Sequence, residues 1–141
     1  MIYTSYFAAL KKVLAQDPKL VPVSIAGKTP TWLEGSIIEV NKYKPLMPHY
    51  DWWSQWHSKF EGQLESEESK AWYIKRYKTT VLDKLKASQV WQDLMDLSHK
   101  HNVVLLCYET PDKFCHRHLV ANWLVANGIM CKELCLQEQA L

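Results

Sequence analysis

The chain has 141 residues, of which 48% are hydrophobic and 23% are charged. These fractions are typical of an ordinary globular protein and argue against an intrinsically disordered chain. No segment reaches the about 18 consecutive apolar residues of a membrane span, and the start Met1-Ile2-Tyr3 lacks the charged and apolar regions of a secretory signal. We therefore expect a single domain, residues 1–141, in the cytoplasm and without a membrane partner.

The charge and the cysteine content narrow the functional classes further. The formal net charge of +2 and the sequence pI near 8.3 are too mild to require a nucleic-acid partner, although they do not exclude one. The chain has four cysteines, Cys107, Cys115, Cys131 and Cys135. In a secreted chain they would permit disulfides, but without a signal we expect reduced thiols.

The first part of the chain predicts a β-α-β unit. Residues 2–4 favour a strand, Ser5 is a good N-cap, and apolar residues recur at helical spacing from Phe7 until Asp17-Pro18 stops the helix. Residues 20–25 predict the next strand. The carboxyl ends of these two strands should lie at the same edge of the sheet.

The loop at residues 26–30 follows the second strand and contains Lys28 and Thr29. Its Gly-Lys-Thr tripeptide is typical of a P-loop, but the upstream glycine of that motif is missing and Pro30 would break the helix that it needs. We expect Ser24, Lys28 and Thr29 to bind a ligand with hydroxyl, backbone and ammonium donors.

Residues 31–67 show no convincing periodicity and predict an irregular insertion rich in tryptophan. Four of the seven tryptophans lie here, namely Trp32, Trp52, Trp53 and Trp56. A long irregular segment in a compact domain is usually a lid or a binding loop. The rings either cover a face of the sheet or form a wall on which a base stacks, and in the second case Trp52 and Trp53 would bind the ligand.

Two helices are predicted next, one from Glu68 and one capped by Ser88. Five basic residues lie on their other faces, namely Lys75, Arg76, Lys78, Lys84 and Lys86. These residues form either a solvated face or a surface that follows a phosphate backbone. Nucleic acid is therefore an alternative partner.

Residues 103–118 join a strand to a loop rich in reactive side chains. The apolar run 103–106 predicts a strand buried on both faces, and a helix begins near Cys115 after a loop with Pro111 and Asp112. Residues 129–134 predict a closing strand. The pattern indicates a small Rossmann-like α/β domain whose mostly parallel sheet has four or five strands and helices on both faces.

Two side chains of this loop are candidates for chemistry. Cys115 at a helix start beside His116 and Arg117 would have a lowered pKa, which makes it a candidate nucleophile, although it would also fit as a packing residue. Glu109 follows the strand end and would act as a base, accept from a ribose hydroxyl, or pair with Arg117; we favour the ion pair. A tyrosine-phosphatase loop is excluded because Ala121 stands where its arginine would be.

Zinc ligands are also present in this region, but their spacing argues against a metal site. Cys107, Cys115, His116 and His118 are of the right types, and Cys131 or Cys135 would come from the next strand. The chain has no Cys-x2-Cys pair, and two histidines two residues apart face different sides of a helix. We predict no metal and no cofactor.

The run Leu-Cys-Tyr-Glu at residues 106–109, followed by Cys-His-Arg at 115–117, resembles the signature of the domain-of-unknown-function family 488 (DUF488). Residues 23–30 with Trp32 resemble the first-strand segment of the same family. The chain departs from it by carrying Lys28 where some members have an arginine and by lacking their Asp-Val-Arg strand ending. The resemblance implies a Rossmann-like fold in a family of small bacterial and phage-type proteins whose biochemical role is largely unassigned.

Together these features predict a pocket at the carboxyl ends of the strands, built from loops 26–30 and 109–117 and the tryptophan-rich segment. Its expected ligand is a phosphate-bearing small molecule or nucleotide, held by Lys28, His116, Arg117 and helix N–H groups. One hypothesis is a small enzyme that uses Cys115 or Glu109. The other is a binding or regulatory module, phage- or defence-related, that uses the same pocket without turnover. The sequence leaves the oligomeric state open.

Overall fold

A computed structural model describes residues 1–33 and 36–134 of the chain. Within them, five parallel strands form one sheet in the order β3-β2-β4-β1-β5. The strands are β1 (Ile2–Tyr6), β2 (Val21–Ser24), β3 (Asn41–Lys42), β4 (Val103–Cys107) and β5 (Cys131–Glu133). The predicted small Rossmann-like α/β fold is confirmed.

Five α-helices accompany the sheet in this part of the chain. They are α1 (Leu10–Gln16), α2 (Tyr50–Lys59), α3 (Glu67–Thr80), α4 (Ala87–Leu97) and α5 (His116–Ala126). Short 3-10 turns lie at Phe7–Ala9, Thr31–Leu33, Lys44–Leu46 and Leu82–Lys84. None of the described helices combines the length and the apolar character that crossing a lipid bilayer requires.

The sheet is covered on both faces because successive residues of a strand point to opposite sides. In β4 every residue is buried, as the apolar run predicted. Val103 and Leu105 belong to the core formed with α2 to α5, whereas Val104 and Leu106 belong to a second core that contains α1. Each fully buried valine or leucine contributes roughly 1.5–3 kcal/mol, so this central strand anchors both layers.

The segment expected to be irregular, residues 31–67, contains helix α2 and two of the 3-10 turns. Helix α2 reads Tyr-Asp-Trp-Trp-Ser-Gln-Trp-His-Ser-Lys, and its buried residues Trp52 and Trp56 are four positions apart. With Phe60 they give the helix one apolar stripe, which packs into the core beside α3. The expectation of irregular structure is therefore wrong for residues 50–59, because two bulky rings suffice to hold so short a helix.

Three predicted helix starts also shift. Strand β1 runs through Ser5, so α1 begins only at Leu10, after a 3-10 turn. Helix α3 is capped by Ser66, whose hydroxyl accepts from the third residue of the helix at 3.1 Å. Ser88 lies inside α4, whose N-cap is Lys86. The predicted end of α5 at Asn127-Gly128 is confirmed, and Gly128 takes the positive φ of 81° that glycine tolerates best.

The strand order places a crevice between β2 and β4. The chain leaves β2 outward to β3, but it leaves β4 through α5 to β5 on the other side of β1. Neighbouring strands whose connections depart in opposite directions leave a gap outside their carboxyl ends, and in open α/β sheets ligands bind at such a gap. The fold alone thus selects the loops after β2 and β4 as the place for a site.

Candidate functional site

A cavity of about 570 Å³ lies at this gap. Its walls come from the loop after β2, the tryptophan-rich segment, helix α3 and the loop after β4. The lining residues are Ala26, Gly27, Lys28, Met47, Pro48, Tyr50, Trp53, Trp56, His57, Leu64, Tyr73, Cys107, Tyr108, Glu109, Phe114, Cys115 and His116. The volume falls within the range of small-molecule sites, roughly 300–1,000 Å³.

Two thiols and an imidazole meet on the floor of the cavity. Cys107 is the last residue of β4, Cys115 is the N-cap of α5, and His116 is its first residue. Their Sγ and ring nitrogen atoms all lie within 4.8 Å of one another. Each residue is at most 6% exposed, so the cavity is their main route to a small molecule.

The imidazole of His116 is held in one orientation. Its Nε2 lies 2.7 Å from the main-chain oxygen of Ile25, and its Nδ1 lies 3.6 Å from Cys107 Sγ. A carbonyl oxygen only accepts, so Nε2 must carry the hydrogen, which leaves the Nδ1 lone pair of the neutral ring facing the thiol. The rings of Tyr73 and Tyr77 pack beside the imidazole, with centroids 6.5 and 5.3 Å away. The site therefore has an imidazole that a main-chain oxygen orients toward a thiol, an arrangement that is typical of nucleophilic thiol centres.

The pKa values of the two thiols are shifted in opposite directions. The facing thiol of Cys107, with smaller contributions from His116 and the Arg117 N–H, lowers the pKa of Cys115 to about 3 against the opposing effect of burial. The facing thiol of Cys115, together with burial, raises the pKa of Cys107 well above its usual value. These opposite directions favour the thiolate on Cys115, at the N-terminus of a helix whose dipole stabilises a negative charge.

Arg117 forms a buried ion pair, but its partner differs from the predicted one. Its side chain is fully buried, and its Nε and Nη2 donate to the two carboxylate oxygens of Glu133 at 3.0 and 2.8 Å. Nη1 donates to the main-chain oxygen of Glu109 at 2.6 Å. The predicted ion pair with the Glu109 carboxylate is wrong, because Glu133 of the neighbouring β5 provides the bidentate partner. Arg117 ties α5 to β5 and to the loop after β4, and it does not line the cavity.

The loop after β2 contributes one of its three predicted binding residues to the lining. Lys28 lies exposed at the rim, and its main-chain oxygen accepts a hydrogen bond from Tyr108, across the gap between the two loops. Ser24 is buried, with its hydroxyl accepting from the Ala26 N–H at 3.3 Å. The hydroxyl of Thr29 is buried without a hydrogen-bond partner among residues 1–33 and 36–134. Ser24 and Thr29 are not part of the lining.

Of the two tryptophans predicted to bind the ligand, Trp53 lines the cavity and Trp52 lies in the core. Trp53 is partly exposed and lines the cavity, where its ring stacks on those of Tyr50 and His57 at centroid distances of 6.3 and 5.1 Å. Trp52 is 4% exposed and packs edge-on against Tyr73 in the core. Because consecutive helical residues face different directions, only one of two adjacent rings can face the cavity.

The sequence reasoning missed Cys107 as a candidate for catalysis. It was weighed only as a metal ligand, although it ends a buried strand whose carboxyl end adjoins the predicted pocket. That position is the signal that would have found it. Glu109, the other predicted catalytic residue, is exposed and lines the cavity rim next to Tyr108.

The residues that can hold a metal ion are the same three on the floor. Cys107, Cys115 and His116 are the group of potential ligands that the structure brings together within the described residues. His118, the other histidine of the motif, lies outside this group, as its helical spacing predicted. Cys131 is a half-buried free thiol in β5, and Cys135 lies outside the described residues.

A comparison with protein-family models matches residues 38–128 to the model described as the active DUF488-N3 subclade, DUF488-N3a. The match includes α2 to α5, β4 and the whole of the thiol and imidazole cluster. No curated protein and no solved structure matches the chain at a significant level.

Proposed function

The chain belongs to the DUF488 family, and we propose that it is a small cysteine-dependent enzyme that acts on a planar, phosphate-bearing ligand such as a nucleotide. The observation that carries this proposal is the arrangement on the cavity floor: two thiols face an imidazole whose far nitrogen is pinned by a main-chain oxygen. A thiol, a base and a group that orients the base are the parts of a nucleophilic centre.

We infer a role for each member of the centre. Cys115 is the nucleophile, because it stands at the N-terminus of α5 and faces the cavity. His116 accepts and returns a proton through Nδ1, while its bond to Ile25 keeps that nitrogen directed at the thiols. The ionised Cys115 sulfur bonds to an electrophilic atom of the ligand, the bond from that atom to the leaving group breaks, and the leaving group takes the proton of the Cys107 thiol. A water molecule then displaces the Cys115 sulfur, and His116 Nδ1 transfers the proton of that water back to Cys107. Glu109 at the rim is placed to accept from a ligand hydroxyl.

The walls favour a ligand with a flat ring. Tyr50, Trp53 and His57 form a row of stacked rings with interplanar angles of 22° and 26°, and a flat ligand ring can extend this row. Stacking of a base on an aromatic side chain contributes roughly 1–3 kcal/mol and tolerates different bases. Lys28, which lines the cavity from the loop after β2, supplies a cation for a phosphate. A nucleotide would thus place its base on the ring wall and its phosphate near Lys28.

The proposal is tested with three variants and a panel of nucleotides and related phosphates. Cys115→Ser should retain ligand binding and lose turnover, since a serine hydroxyl is a far poorer nucleophile at neutral pH. His116→Gln should lose most turnover, and Cys131→Ser is the matched control because Cys131 lies in β5, away from the cavity. A covalent adduct on Cys115, located by peptide mass spectrometry after rapid quenching, would identify the reacting atom.

Two outcomes would contradict the proposal in different ways. Unchanged binding and unchanged cellular function in Cys115→Ser would identify the alternative class, a binding or regulatory module that uses the pocket without turnover. Loss of folding in Cys115→Ser, seen by circular dichroism, would make the cysteine a packing residue and withdraw its catalytic role. Turnover that survives in both Cys115→Ser and His116→Gln would move the chemistry elsewhere, with Glu109 the next residue to replace.

A further inference from the structure

The cavity floor already has part of the geometry of a zinc site. In a tetrahedral site with a Zn–S bond of about 2.3 Å and a Zn–N bond of about 2.0–2.1 Å, the sulfur and nitrogen lie about 3.6 Å apart. Cys107 Sγ and His116 Nδ1 are separated by 3.6 Å. The same bond lengths place two sulfurs about 3.8 Å apart, and the Cys115 sulfur lies within 4.8 Å of both other atoms. A movement of the Cys115 sulfur by at most about 1.2 Å would therefore complete the third ligand.

The histidine is prepared for a metal in a second, independent way. Metal-bound histidines in proteins almost always donate their other ring N–H to a carbonyl or carboxylate, which fixes the ring and the coordinating nitrogen. Here Nε2 donates to the Ile25 oxygen at 2.7 Å, so Nδ1 is the nitrogen left to coordinate. The supporting bond comes from the chain just after β2, so the site draws on two strands and a helix.

The cavity adjoins all three ligand residues, so a fourth ligand can reach an ion held between them. Cys107, Cys115 and His116 line the cavity, and the rings of Tyr73 and Tyr77 pack beside the imidazole. A site with three protein ligands and one open position differs from closed structural zinc sites, which use four. An exchangeable water or ligand atom from the cavity would fill the open position.

We propose that Cys107, Cys115 and His116 bind one soft divalent ion of the Zn²⁺ or Cd²⁺ type, with the fourth coordination position open to the cavity. This inference goes beyond the proposed function and does not depend on it. A bound ion coordinates both sulfurs, so the metal-loaded protein has no thiolate left for nucleophilic attack, and the ion inhibits the thiol chemistry. The sequence prediction of no metal depended on the missing Cys-x2-Cys pair and on the spacing of His116 and His118, whereas the structure brings Cys107 and Cys115 together with His116.

The test uses the whole chain, reduced and freed of metal by a chelator that is then removed. Zn²⁺ is titrated in competition with a chromophoric chelator, and Cd²⁺ is titrated while its thiolate charge-transfer absorption is recorded. We expect one equivalent of either ion. Loss of an outer partner of a metal ligand weakens binding by about 10–100-fold, so Cys107→Ser, Cys115→Ser and His116→Ala should each weaken it by at least the upper value. Cys131→Ser is the control and should bind as the unaltered protein does.

A measurement on the unaltered protein keeps the proposal falsifiable if the variants fold poorly. One equivalent of Zn²⁺ should protect Cys107 and Cys115 from alkylation by at least about tenfold, and Cys131 should be modified at the same rate with or without the ion. The proposal is overturned if no ion binds while both thiols are reduced, if Cys115→Ser binds as tightly as the unaltered protein, or if Cys131→Ser is the variant that loses binding. Metal binding without any turnover in metal-free protein would contradict the proposed function alone.

Discussion

Replacing Arg117 with methionine should cost stability and leave the cavity intact. The guanidinium is fully buried and donates three hydrogen bonds, two to Glu133 and one to the main-chain oxygen of Glu109. Methionine fills much of the same volume but leaves the Glu133 carboxylate and the Glu109 main-chain oxygen without the guanidinium. Removing one partner of a buried ion pair costs about 3–5 kcal/mol.

The expected cost lies at the lower end of that range. The Glu133 side chain keeps 20% of its surface exposed, so water partly compensates the carboxylate, and Thr4 still donates to it at 2.7 Å. We therefore expect a loss of about 3 kcal/mol. For 141 residues the unfolding entropy is about 0.3 kcal/mol per kelvin, which converts this loss into a fall in Tm of about 10 °C.

Chemical denaturation with paired variants tests this reasoning. Arg76→Met is the matched control, because Arg76 is exposed and its guanidinium lies over the Trp72 ring at 4.9 Å, a contact worth about 0.5–1 kcal/mol. In the double variant Arg117→Met/Glu133→Gln the total cost should be smaller than the sum of the two single costs, since neutral glutamine no longer buries a lone charge. If Arg117→Met lost no more than Arg76→Met but weakened a phosphate ligand tenfold, the arginine would be a binding residue, as the sequence had suggested.

Four further predictions concern the pocket, the thiols, a helix cap and the basic face. Trp53→Ala should weaken the binding of a stacked ligand by about 1–3 kcal/mol in calorimetric titration. Trp91 lies beside Met1 at the amino ends of the strands, so Trp91→Ala should not change the affinity. Equal effects of the two substitutions would refute the stacking of the ligand on the ring row. In chelator-treated protein the pKa of about 3 keeps Cys115 ionised above pH 5, so its alkylation rate, followed by peptide mass spectrometry, should be flat from pH 5 to 8. Burial and Glu133 raise the pKa of Cys131 to about 11, so the alkylation rate of Cys131 should grow about tenfold per pH unit. A Cys115 rate that grows in the same way would refute the assignment of the thiolate to Cys115. Ser66→Ala should cost about 1 kcal/mol through the lost cap of α3, and Ser88→Ala, inside α4, should cost less than half of that in the same denaturation assay. If the exposed Lys75, Arg76 and Lys78 of α3 follow a nucleic acid, binding to single strands should weaken with salt by a log–log slope of about 0.7 per phosphate contacted, and salt-independent or absent binding would remove this alternative.

Local pattern was sufficient for the elements whose signal is contained in their own residues. The run of buried residues in β4, the cap-like Cys115 at the start of α5 and the Asn-Gly ending of that helix all follow from periodicity and backbone preference. Helix α2 was missed because ten residues with two buried rings give little periodicity, and its stability comes from packing against α3. The true cap of α3 was missed for a related reason, since several serines and acidic residues compete there and only the folded chain selects one.

The partners across the fold depended on strand order, which the sequence does not encode locally. Arg117 pairs with Glu133 because β5 lies beside β1 at the sheet edge, and the sequence instead offered the nearer Glu109. The cavity floor depends on strand order in the same way. Cys115 and His116 are neighbours in the sequence, but Cys107 meets them only where β4 leads into α5. Ile25 reaches His116 only because β2 lies beside β4. Residue types and local periodicity determine which helices and strands form, because they act over a few residues. The geometry of the candidate site was decided by which strands lie side by side, because hydrogen bonds and thiol contacts act over a few ångströms, and Ile25 and His116, which meet there, are 91 positions apart in the chain.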